Sequence, residues 1–259
     1  MHPPSPAPGG DVEPPQSDAA TSAVERLEHL ARTIGEVEHR LLPAWRRRTD
    51  GEPRWAASGA VCAAIALQLT LPAKLTMPPR WLLPSLGAAL LIGLLVVNPR
   101  RIDRRSSSLR ATSILLTGVM SLANAVSAGR LIAHLLNGTA TEDAAVLLRW
   151  GGAIWLTNVV VFALWYWELD RGGPAERAEG SRPYPDLLFP QMATPDIAPP
   201  TWEPRFVDYL YLAFTNATAF SPTDVLPLAR WTKLMMLVQS AVSVSTLVLV
   251  VARAVNILR

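Results

Sequence analysis

The chain has 259 residues, half of them apolar and 17% charged, with a formal net charge of +3. A soluble domain carries roughly 25% charged residues, and here many of the charges lie in residues 1–54 and 169–205, between long stretches that hold almost none. This distribution excludes an ordinary water-soluble globule and predicts an all-α integral membrane protein, a polytopic helical bundle.

Residues 1–20 are rich in Pro, Gly, Ser and Ala and are expected to form a disordered tail. The start has no basic n-region and no apolar run, so a cleaved signal peptide is not expected. Over 21–42, Leu27, Leu30, Ile34, Val37 and Leu41 recur at spacings of three and four, while charged residues fill the other faces. Thr21 or Ser22 can cap the start, and Pro43 follows the end. The segment reads as an amphipathic helix that rests on a membrane or on its own protein, or else as a short self-associating coiled coil. With Arg46, Arg47 and Arg48 behind it, residues 21–48 form a cytoplasmic helix and basic anchor.

Apolar runs then follow over 55–72 and 81–97, joined by a short loop containing Pro72, Pro78 and Pro79. Together they read as a transmembrane hairpin, each run near the lower length limit for a span. The single cysteine, Cys62, lies in the first run and permits neither an internal disulfide nor a cysteine metal cluster. Further spans are expected over 111–136 and 144–167, so that 55–167 makes a four-helix membrane region. The loop around Arg100–Arg110 is strongly basic, whereas 137–143 carries Glu142 and Asp143 and no basic residue. Two spans separate the Arg46–Arg48 run from the Arg100–Arg110 loop, so both can be cytoplasmic while 137–143 lies outside. The basicity is thus topological rather than a sign of nucleic-acid binding, and the N-terminus is expected in the cytoplasm of a bacterial cell, with the chain multi-pass in the inner (plasma) membrane.

Residues 168–205 are proline-rich and of mixed charge, a loop whose Tyr184, Leu187, Leu188, Phe189 and Trp202 are expected to pack at the membrane interface. A short apolar and aromatic segment, 206–220, comes next, and a last long helix covers 231–257. The expected architecture is therefore five long hydrophobic helices plus one short or re-entrant membrane helix.

The short segment ends in small polar residues, Thr215, Asn216, Thr218, Ser221 and Thr223, followed by Asp224, a proline and the final helix. Residues 206–257 resemble the pore module of two-transmembrane and voltage-gated-like potassium channels, in which a short pore helix ends in a Thr-rich filter closed by an Asp. The resemblance implies that Thr215, Thr218, Ser221, Thr223 and Asp224 line a permeation path. The stretch 218–224 contains no glycine to turn successive carbonyls inward and is one residue longer than the channel pattern, so potassium selectivity is not expected. Residues 221–227 are expected to be irregular backbone, buried in protein or lining water. Four spans from a cytoplasmic start place 168–205 inside, whereas a channel pore loop enters from outside. Either 206–228 is a fifth span, or the short segment is re-entrant from the cytoplasm, or one of the two short N-terminal runs does not span.

The whole chain also resembles a family of bacterial integral membrane proteins of unknown function. The matching stretches are WYWELDRGGP at 165–174, DLLFPQM at 186–192, DYLYLAFTNATAFSPTD at 208–224 and VVARAVNIL at 250–258. This resemblance implies a family and no activity.

Arg130 and His134 lie one turn apart near the outer end of the third span, where intramembrane ionisable groups are functional candidates. The alternative is that they snorkel outward, with Arg130 paired to Glu142 or Asp143. Glu168, with Asp170 and Arg171, ends the fourth span, either as an interfacial ion-pair cap or as a carboxylate at a pore or substrate mouth. Asn124 and Asn158 suit hydrogen bonds between helices better than ligand binding. The four histidines are dispersed and show no metal-ligand spacing, and no GxSxG, Walker-type loop or CxxC occurs, so neither an enzyme nor a cofactor is expected. Three functions remain: an ion-channel-like pore without potassium selectivity, a non-conducting membrane scaffold or partner protein, and a small transporter. The partners expected are the lipid bilayer, ions and further copies of the chain.

Overall fold

The structure is a computed structural model that describes residues 26, 29, 30, 43–49, 51–97, 107–194, 198–199, 202–218 and 224–258. Residues 1–42 and 43–259 are separate compact units. In the first, the described Arg26, His29 and Leu30 are helical. The expected disordered tail and most of the amphipathic helix lie outside the described residues, as do residues 100–106 of the basic 100–110 loop.

The second unit is all-helical. Its α-helices are α1 (Trp55–Leu69), α2 (Leu82–Val97), α3 (Ser107–Leu136), α4 (Ala144–Leu169), α5 (Pro174–Glu179), α6 (Pro190–Ala193), α7 (Phe206–Thr218) and α8 (Arg230–Ile257). Two two-residue strands, β1 (Leu187–Leu188) and β2 (Leu226–Pro227), pair antiparallel.

Three helices, α3, α4 with the turn that follows it, and α8, are long and apolar enough to cross a membrane. Of the five long hydrophobic helices expected, the other two, α1 and α2, are apolar but shorter over the described residues. At 1.5 Å per residue α1 and the described part of α2 are roughly 22–24 Å long, against the ~30 Å hydrocarbon thickness. In α1 the cause is local: Thr70 and Leu71 close a turn onto Leu67 and Gln68 ahead of Pro72, which has no N–H to continue the helix.

Helix α4 is central and packs against α1, α3, α7 and α8. The pairs Ser113–Glu168, Ser121–Trp165 and Asn124–Asn158 set α3 antiparallel to it. Tyr166–Gln239 and Asn158–Ser243 do the same for α8. Ring contacts Trp155–Phe214 and Trp167–Phe206 align α7 antiparallel to α4 as well. So α7 and α8 run side by side in the same direction.

Both ends of the α7 segment return to one place. Before α7, the Phe206 amide donates to Glu52, and Tyr209 in its first turns reaches Asp170. After α7, β2 pairs with β1, the Leu228 amide donates to the Asp186 carbonyl, and the Trp231 indole donates to the Asp186 carboxylate. This end of the unit, which also carries the start of α1 and the end of α4, is called the base below.

The 168–205 segment is more structured than a surface loop. It holds α5, β1 and α6, and Leu187, Phe189 and Met192 are buried in the core while Tyr184 is 79% exposed. Of the expected irregular backbone at 221–227, residues 221–223 lie outside the described residues, and the rest is in part a strand. Leu226 and Pro227 form β2, and Leu226 and Asp224 are exposed, because Leu187 and Leu188 offer backbone partners there.

Candidate functional site

Two buried polar assemblies stand out. The first lies at the base and gathers Glu52, Arg54, Glu168, Asp170, Arg171 and Arg177, all less than 8% exposed. Three acids face three arginines, so the cluster is neutral as a whole. An unpaired buried charge costs several kcal/mol, so such a cluster persists only if each charge is met by an opposite one and by hydrogen bonds.

Asp170 sits where α4 ends and is fully buried. Its Oδ1 accepts from the Leu187 amide at 3.3 Å, and its Oδ2 accepts from the Tyr209 hydroxyl at 2.6 Å and from Arg171 Nε at 3.3 Å. The chain can turn sharply here because Arg171, Gly172 and Gly173 all have positive φ. At Gly173, with φ +99°, a β-carbon would fall 2.9 Å from the Glu168 carbonyl oxygen, so the position requires glycine. Arg171 then donates from Nη1 to the Trp45 carbonyl, and its amide donates to Asp186 at 2.7 Å.

Arg177, projecting from α5, covers the end of α4. It donates to the carbonyls of Trp167 and Asp170, stacks over Trp167 and Tyr209, and lies 3.7 Å from Glu52, an ion-pair contact too long for a hydrogen bond. Glu52 accepts from the Trp167 indole at 2.6 Å and from the Phe206 amide. Burial pushes the Glu52 carboxyl above its usual range, against those hydrogen bonds and the nearby Arg177. Glu168 accepts from the Ser113 hydroxyl on α3, with Arg177, Arg54 and Arg110 as its electrostatic neighbours.

The second assembly lies between α4, α7 and α8 around Gln239, which is fully buried. Its Nε2 donates to the Ala213 carbonyl at 2.7 Å, and its Oε1 accepts from Tyr166 and Asn216, both at 2.8 Å. Asn216 Nδ2 also reaches the Met236 carbonyl. One turn along α8, Ser243 accepts from Asn158, whose Oδ1 receives a weak contact at 3.5 Å from Asn124 on α3.

Of the residues expected to line a pore, Thr215, Thr218 and Asp224 are described. Thr215 donates to the carbonyls of Tyr211 and Leu212, and Thr218 donates to that of Thr215, so both hydroxyls turn back onto their own helix. Asp224 is exposed. Ser221 and Thr223 lie outside the described residues. Arg130 does not pair with Glu142 or Asp143: its guanidinium donates to the Thr76 carbonyl, while Asp143 caps α4 by accepting from the Val146 amide. The turn after α1 brings that carbonyl closer than the sequence-adjacent acids. His134 contacts the Thr139 hydroxyl at 2.8 Å. Glu168, Asp170 and Arg171 do lie together, but buried rather than as a surface cap.

Sequence reasoning missed Glu52, Arg54, Arg177, Tyr209 and Gln239. For Gln239 a signal existed. Thr232, Gln239, Ser243 and Thr246 recur at helical spacing in a helix whose residues are mostly apolar, which is the pattern of a polar stripe turned toward other helices. Nothing local marks Glu52, whose hydrogen-bond partners Trp167 and Phe206 are distant in sequence.

Among the described residues no group of three or more His, Cys, Asp or Glu side chains is arranged to hold a metal ion. No protein-family model matches the chain, and no curated protein or solved structure matches it.

Proposed function

We propose that the chain is an integral membrane protein that acts as a non-conducting scaffold rather than as an ion pore, with α7 as a re-entrant helix docked on α4 and α8. Membrane residence is supported by the inside-out character of α8. Its polar Thr232, Gln239, Ser243 and Thr246 are buried, while Leu234, Leu237, Val238, Val248 and Val255 are each about half exposed or more. Water would favour the reverse arrangement, whereas hydrocarbon tolerates it. Trp55 at the base and Trp81 at the opposite end are 74% and 60% exposed, as interfacial anchors would be.

The observation that carries the non-conducting reading is Gln239. It fills the seam between α7 and α8 with satisfied hydrogen bonds, and the Thr215 and Thr218 hydroxyls are spent on their own helix. A permeating ion needs oxygens free to replace its water. The return of both ends of the α7 segment to the base supports the re-entrant path. The base would then hold the segments before α1, after α4 and around α7 as one rigid surface for a partner.

Orientation follows from charge. Arg46, Arg48, Arg110, Arg182 and Arg205 are exposed at the base, which favours a cytoplasmic base and N-terminus. An impermeant thiol reagent that labels Asp103→Cys in whole cells, on a Cys62→Ser background, would reverse that orientation.

Reconstitution in planar bilayers tests the function. No current is expected across a range of voltage and pH. Currents whose cation preference changes in Asp224→Asn would overturn the scaffold reading in favour of an oligomeric pore, because a ring of carboxylates concentrates cations.

A further inference from the structure

The start of α3, the approach to α7 and the start of α8 each expose cations: Arg110, Arg205, and Arg230 with Lys233. All lie close to the level at which α4 ends. Ser113, three residues past Arg110, bonds to Glu168. Phe206, next to Arg205, packs against Trp167. Trp231, next to Arg230, shares the Asp186 carboxylate with the Arg171 amide. On each of the three helices the first exposed large apolar residue follows soon after: Leu115, Val207 and Leu234, each more than half exposed, as is Trp55 at the start of α1. The step from cation to exposed apolar side chain is one to five residues, at most roughly 8 Å at 1.5 Å per residue. A bilayer about 40–45 Å thick with a hydrocarbon core of about 30 Å leaves a headgroup layer of similar depth on each side. The four cations therefore form a belt at headgroup depth.

The chain supplies this belt with little counter-charge. Glu52, Glu168 and Asp170 are already matched by Arg54, Arg171 and Arg177 in the buried cluster. Three further acids stand near: Asp186, which accepts from the Arg171 amide and the Trp231 indole; Asp208, which accepts from the Arg205 amide; and the exposed Asp224 ahead of β2. Glu168 and Asp208 are electrostatic neighbours of Arg110 and Arg205, yet none of the four cations is in an ion-pair contact with a described residue. Like charges held at one depth repel, and water screens them less where apolar surface adjoins them. An anion from outside the chain relieves that repulsion. At this depth the anions at hand are acidic headgroups, to which Lys and Arg beside a span are attracted.

We propose that the belt of Arg110, Arg205, Arg230 and Lys233 binds the headgroups of anionic phospholipids and selects them over zwitterionic ones. The proposal rests on the membrane placement of α3 and α8 and not on whether the protein conducts.

The test uses the full chain reconstituted in phosphatidylcholine bilayers, probed by electron paramagnetic resonance with spin-labelled phosphatidylglycerol and, in parallel, spin-labelled phosphatidylcholine. The motionally restricted fraction of each label gives its relative association with the protein. A preference of about threefold or more for phosphatidylglycerol is expected at low salt. It should fall toward parity near 1 M salt, where the Debye length is about 3 Å. The combined variant Arg110→Gln, Arg205→Gln, Arg230→Gln and Lys233→Gln should lose the preference at low salt. Arg80→Gln with Arg149→Gln, which removes exposed charge at the opposite end, should keep it. Equal restricted fractions for the two labels, a preference that survives the belt variant, or one lost equally in the opposite-end variant overturns the proposal. The salt titration of the unchanged chain decides the matter even if the belt variant does not fold, because a preference that persists at high salt is not electrostatic. Equal fractions together with tight binding of polyglutamate would assign the belt to an acidic protein segment and overturn the lipid site. A chain that restricts neither label is not in the bilayer and overturns the membrane reading as well, whereas equal restriction of both overturns the site alone.

Discussion

A β-carbon on Gly151 would lie 2.7 Å from Cγ1 of Val250, so α4 and α8 cross there in direct contact with no room for a side chain. Close approach through a small residue is how helices gain packing contacts in an apolar surrounding, where burial of further apolar surface adds little. Gly151→Val should therefore force the helices apart and cost about 1–3 kcal/mol or more. Val250→Ala in the same chain should restore most of the loss. Thermal unfolding of the single and double variants measures the coupling, and additive effects would mean that the crossing does not depend on this pair.

Gln239 joins three helices, so its loss should be felt beyond α8. In Gln239→Leu the Tyr166 hydroxyl and an Asn216 amide donor lose their shared acceptor, at a cost of about 1–3 kcal/mol for each group left unpaired. The expected readout is a lowered unfolding temperature together with faster amide exchange or proteolysis at 206–218, because α7 is short and is docked through this residue. A uniform loss with α7 still protected would place the role of Gln239 elsewhere.

At the base, Asp170→Ala removes one carboxylate and leaves Arg171 and the Tyr209 hydroxyl without it. Removing one partner of a buried ion pair costs about 3–5 kcal/mol, and the variant should accumulate poorly. Tyr209→Phe deletes only the hydroxyl and should cost less, about 1.5–3 kcal/mol, the value of a hydrogen bond to a charged group. Chemical denaturation in mild detergent ranks the two. An equal effect would show that the hydroxyl, rather than the charge, holds the cluster.

Glu52 imposes a pH dependence whose sign is fixed by burial. Its folded-state pKa is raised above the ordinary value of 4.5, so the folded protein holds this proton more tightly than the unfolded chain. The stabilising contribution is complete below that ordinary value and is lost as pH rises through the raised one. Relative to Glu52→Gln, the wild type should therefore lose unfolding temperature between pH 4.5 and neutrality. A constant difference across that range would show that the hydrogen bonds from Trp167 and Phe206 fully offset the burial.

The sequence by itself determined the helical class, the approximate limits of α3, α4 and α8, and the separate short helix beginning at Phe206. These follow from the length of apolar runs, from prolines and from helical spacing, all of which act within a few turns of chain. Only the tertiary structure decided which polar groups meet. Arg130 has Glu142 and Asp143 as its nearest acids in sequence, yet it donates to the Thr76 carbonyl because the turn after α1 folds over α3. Glu52 has no local partner and finds the Trp167 indole, the Phe206 amide and Arg177. Thr215 and Thr218 have the composition of a filter, but an α-helix offers them its own carbonyls one turn back. A buried polar group is bound to pair, but its choice of partner depends on which helices pack side by side, and spacing along the chain does not encode that.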